Sequence, residues 1–95
     1  MKFTLLRNIH FHSPEAGLVA QQVAKDVESD IPPQVGYEYE ESAWHRNDRP
    51  KVQSVLVNVD EGFCIVELDS MEVQTPEAVK AKVEVILAHP GWRKA

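Results

Sequence analysis

From Phe3 to His12 the chain alternates, with Phe3, Leu5, Ile9 and Phe11 apolar and Thr4, Asn8, His10 and His12 polar between them. Successive side chains of an extended backbone project to opposite faces, so this pattern demands a strand with one covered face and one open face. A strand of that kind needs a sheet around it and a second layer against its apolar side, which the rest of the chain must supply. Arg7 falls where the apolar row should continue, and the pattern there calls for a bulge or for Leu6 turning inward.

The next segment, "SPEAGLVAQQVAKDVESD", offers Ser13 as a cap, Pro14 at a first helical position and Glu15 in a first turn. Ala16, Val19, Ala20, Val23, Ala24 and Val27 form one stripe at 100° per residue, with Gln21, Gln22, Lys25 and Glu28 facing away. The reading is a helix from Pro14, ended by Ile31, Pro32 and Pro33, because neither proline donates a backbone hydrogen bond. "QVGYEYEES" alternates again, with Val35, Tyr37 and Tyr39 against Glu38 and Glu40, and reads as a strand. "VQSVLVNV" and "FCIVEL", joined by "DEG", read as a hairpin. Thr75, Pro76 and Glu77 then open a helix whose core stripe is Val79, Val83, Ile86 and Leu87.

The expected order is β-α-β-β-β-α, an α+β two-layer sandwich with a four-stranded, mainly antiparallel sheet and two helices on one face. From Pro14 onward that order resembles the topology of double-stranded-RNA-binding domains. The resemblance implies a lysine-rich start to the second helix, facing phosphate, where this chain has Thr75, Pro76, Glu77 and Ala78. A ferredoxin-like βαββαβ module is close in order, but its last strand would have to be "GWRKA", which reads as too short and polar.

Ninety-five residues with 43% hydrophobic and 26% charged content suit a single domain. The net charge of −5 disfavours a nucleic-acid partner, since phosphate binding needs clustered Lys and Arg. A lone cysteine, Cys64, allows no internal disulfide and fits a reducing, cytoplasmic setting; it reads as a core residue, not a nucleophile. No run approaches a membrane span, and no motif of a cofactor-binding family occurs, so no membrane and no cofactor are expected.

Three sets of residues are candidates for function. His10 and His12 share a strand face and could bind a metal or a small ligand there, a metal needing a further donor from Glu38, Glu40, His45 or His89; the plain alternative is a solvent-facing half-strand. Trp44, His45, Arg46 and Arg49 crowd the 44–51 loop with an aromatic ring and cations suited to an anion, a nucleic acid or a protein partner, although Trp44 folding back onto the core is the competing reading. Lastly, Ala78, Ala81, Val85 and Ala88 make a second apolar stripe on the last helix, with Trp92 beyond it. One sheet covers one stripe, so the second is expected to meet a partner, and the leading expectation is a non-enzymatic protein-interaction module that forms a homodimer.

Overall fold

The computed structural model describes every residue from Met1 to Ala95. Six strands and one helix follow in the order β1 (Lys2–Ser13), β2 (Gly17–Glu28), β3 (Val52–Asn58), β4 (Phe63–Leu68), β5 (Met71–Glu72), α1 (Pro76–Leu87) and β6 (Trp92–Lys94). All strands join one mixed sheet, ordered β3-β4-β1-β2-β6, with β5 also paired to β1. The α+β class holds, but the expected four strands and two helices do not.

The largest correction falls on the segment after Ser13. It is a strand, β2, paired antiparallel with β1 over its whole length, from Lys2 opposite Glu28 to Ser13 opposite Gly17. Pro14, Glu15 and Ala16 form the turn, Gly17 takes the left-handed conformation at φ 69°, and the Ser13 hydroxyl accepts the Ala16 N–H at 2.9 Å. Serine and proline thus do the same local work in a hairpin that they would do at a helix start. Val19, Val23 and Val27 recur every four residues, a spacing that puts them on one face of a helix and equally on one face of a strand. As strand residues they pack on the core, with Val23 fully buried, and their β-branched side chains suit the extended form.

The expected strand at Val35–Glu40 is reduced to one bridge, Glu38 opposite Lys51. Tyr37 and Gly36 exchange bonds with Val52, and the Tyr39 N–H reaches the Pro50 carbonyl. Pro50 has no N–H to return, so the ladder stops there. Conversely, "GWRKA" does supply a strand: Trp92–Lys94 pairs antiparallel with Val23–Lys25, after a reversal in which Gly91 takes φ 88°.

The β3–β4 hairpin forms from Asn58 opposite Phe63 down to Val52 opposite Leu68, with a register shift between Val52 and Ser54. Thr75 caps α1, its hydroxyl accepting the Ala78 N–H at 3.1 Å. Helix α1 lies on the face of the sheet formed by Phe3, Leu5, Ile9 and Val23, burying Val79, Val83 and Ile86. The 29–51 segment covers the rest of that face, setting Tyr39 edge-on to Phe3 at 6.3 Å and Ala43 and Trp44 into the core. No helix is long and apolar enough to cross a membrane.

Candidate interaction surface

Arg7 breaks the apolar row without bending the strand. The β1 register runs through it unshifted, opposite Val23, so its side chain points into the covered layer, where it is 3% exposed. A buried guanidinium needs acceptors for its fixed fork of donors. Nη1 and Nη2 bind the two carboxylate oxygens of Asp48 at 2.8 and 2.9 Å, and Nε donates to the Asp69 carbonyl at 3.0 Å. Asp69 lies in the break between β4 and β5, both parallel to β1, so Arg7 ties the kink between those strands to the 44–51 loop. The guanidinium also sits 4.7 Å from the centre of the Trp44 ring, and Trp44 packs against Trp92 with centroids 5.3 Å apart.

This assembly decides what the 44–51 loop can offer. Trp44 is turned inward, while His45, Arg46 and Arg49 are exposed and Asp48 is committed to Arg7. Beside the loop, Lys25 pairs with Glu41 at 3.1 Å and lies 6.0 Å from the Trp92 ring centre. Neither indole N–H finds a protein acceptor, so each ring is held by its apolar packing and by the cation beside it. The polar cleft lined by Lys25, Glu40, Glu41, Ser42, Trp44 and Arg46 therefore holds two cations and two carboxylates, with Lys25 already paired to Glu41, and this balance leaves no net positive charge to draw an anion.

The histidine set is not gathered. His10 and His12 occupy the open face of the sheet; the Cα partners of His10 are Ala20 and Glu72, and that of His12 is Leu18. Glu38 is held by its backbone at the bridge to Lys51 and its side chain is exposed there, and Glu40 lines the cleft beside Trp44. No three His, Cys, Asp or Glu side chains come close enough to hold an ion together. Cys64 is buried in the core of β4.

The outer stripe of α1 divides. Ala78 packs against the core of its own chain, whereas Ala81, Val85 and Ala88 are exposed, Val85 at 53%. Trp92 is buried against Trp44 in the same chain, so its ring is not presented outward.

On the open face, Asp26 accepts hydrogen bonds from the Thr4 hydroxyl at 2.8 Å and from Arg93 at 3.2 Å, and these hold its carboxyl below the usual range. On the covered face, burial pushes the Tyr39 hydroxyl up from 10.0, with Tyr37 and Cys64 adding to the shift.

The surface that sequence reasoning missed is the free edge of β3. This strand ends the sheet, and its sequence from Val52 to Asn58 contains no charge and no proline. Edge strands that must stay single carry such residues to block pairing. Gly36 and Tyr37 occupy the edge only at Val52; from Ser54 to Val57 no backbone group bonds to anything outside the β3–β4 ladder. Leu56 and Val57, on opposite faces, are 58% and 59% exposed, and Val59 just beyond is 87% exposed. The outward Leu56 is flanked by Ile65, its ladder partner on β4, and Phe63 is half-exposed on the same face. The warning in the sequence was the run "VLVNV", too apolar on both faces for an edge left in water. Comparison of the chain with protein-family models, with curated proteins and with solved structures finds no match in any of the three.

Proposed function

We propose that this chain is a non-enzymatic association module that works as a homo-oligomer in the cytoplasm. The observation that carries the reading is the uncharged, unpaired edge of β3, with Leu56, Val57 and Val59 in water on an otherwise ordinary small domain. Backbone donors and acceptors along such an edge, together with apolar side chains on both faces, form a template for a further strand. The exposed Val85 and Ala81 on α1 offer a second, smaller apolar contact. The reading assigns no catalytic residue: the guanidinium of Arg7 and the ammonium of Lys25 are engaged in structural ion pairs, and the one thiol is enclosed.

Light scattering across a wide concentration range tests this. The expected result is a mass that rises above that of one chain, and that returns to it when a charge is placed on the contact, by Leu56→Lys at the strand edge or Val85→Asp on the helix. A single-chain mass at every concentration contradicts the reading.

A further inference from the structure

We infer that the strand received by β3 is β3 of a second copy, laid antiparallel about a two-fold axis at Leu56. The inference rests on the association reading above and names its contact.

The open stretch of edge sets the length. Val52 is already bonded to Gly36 and Tyr37, and the chain turns away after Asn58, whose carbonyl accepts the Gly62 N–H. The window is therefore Ser54–Asn58, centred on Leu56. A two-fold axis normal to the sheet keeps each face on its own side, so paired residues must have the same parity. Centring on Leu56 satisfies this: Leu56 faces its own copy, Val55 faces Val57, and Ser54 faces Asn58. Leu56 would then be shielded on the open face beside Ile65, and Val57 on the covered face beside Val55, which removes from water two of the most conspicuous exposed side chains.

Charge decides the direction of pairing. The chain carries −5 overall, so two copies repel in most orientations, yet the window itself is neutral. Lys51 precedes it, and Asp60 and Glu61 follow it. Antiparallel pairing brings Lys51 of each copy, with Glu38 bridged beside it, opposite Glu61 of the other, whereas parallel pairing would set Asp60 and Glu61 of the two copies side by side. A contact of five residues a side is small, and a reversible, concentration-dependent dimer follows.

Side chains on the axis give the test. In a Cys64→Ala background, Leu56→Cys places two thiols across the proposed axis, and Val85→Cys serves as the comparison on α1. Mild oxidation of each protein, read on a non-reducing gel, is expected to link the Leu56→Cys chains at least tenfold faster than the Val85→Cys chains. In the otherwise unaltered protein, Leu56→Lys sets two ammonium groups side by side on the axis and is expected to weaken the dimer at least tenfold by light scattering, with the melting temperature little changed. A dimer that survives Leu56→Lys, or that crosslinks faster through Val85→Cys, overturns the edge pairing while leaving self-association standing. A chain that is single at all concentrations removes both.

Discussion

Burying a guanidinium strips it of water, and only a complete set of acceptors offsets the loss; Arg7 has them in Asp48, in the Asp69 carbonyl and in the face of Trp44. Asp48→Ala should leave that charge enclosed and unpaired, lowering stability by about 2–4 kcal/mol, less than for a fully enclosed pair because Asp48 is a third exposed. Combining it with Arg7→Met should recover much of the loss, since an apolar side chain of similar length needs no partner. Chemical denaturation of the two single variants and the double variant checks this, and additive losses would contradict it. The Tyr39 hydroxyl is raised in the folded chain, so its contribution is intact below pH 10 and is lost as pH climbs through the folded value. Tyr39→Phe should flatten the fall of melting temperature above pH 10. Asp26 is lowered, so its contribution is present above about pH 3.8 and is lost as acid protonates the carboxylate. Asp26→Asn should shrink the acid loss in that range.

At the scale of elements, the hairpin of β1 and β2 replaces what reads as a strand followed by a helix. The alternation of β1 was legible, and its odd positions did mark the covered face; continuing the count through Arg7 would have placed that residue inside as well. The β3–β4 hairpin and the Thr75 cap of α1 were legible too, because each is decided by neighbours in sequence. β2 was not, because valines four apart fit both periods and only the long-range pairing with β1 chooses between them. The same holds for β6, which is too short to declare itself and exists because β2 offers it an edge. Far-UV circular dichroism should accordingly report a helical fraction near that of α1 alone, 12 of 95 residues, instead of the much larger fraction that two helices would give. Gly17→Ala should destabilise by about 1 kcal/mol, since its φ of 69° is costly for any residue with a Cβ. Thr75→Ala should cost a similar amount through loss of the cap. Thermal melts read both.

The molecule as a whole is a sheet covered on one face by α1 and the 29–51 segment and open on the other, with β6 and the 36–38 bridge partly closing its ends and β3 left as a bare rim. His10, His12, Glu38 and Glu40 do not gather into a site, while β3 carries the exposed apolar edge. Self-association at that rim is the central claim, and amide hydrogen exchange compared between dilute and concentrated protein tests it most directly. Amides of Ser54–Asn58 that point away from β4 should become markedly slower to exchange at high concentration, while those of α1 and the β1–β2 hairpin stay as they were. Exchange along Ser54–Asn58 that is equally fast at both concentrations would contradict the account.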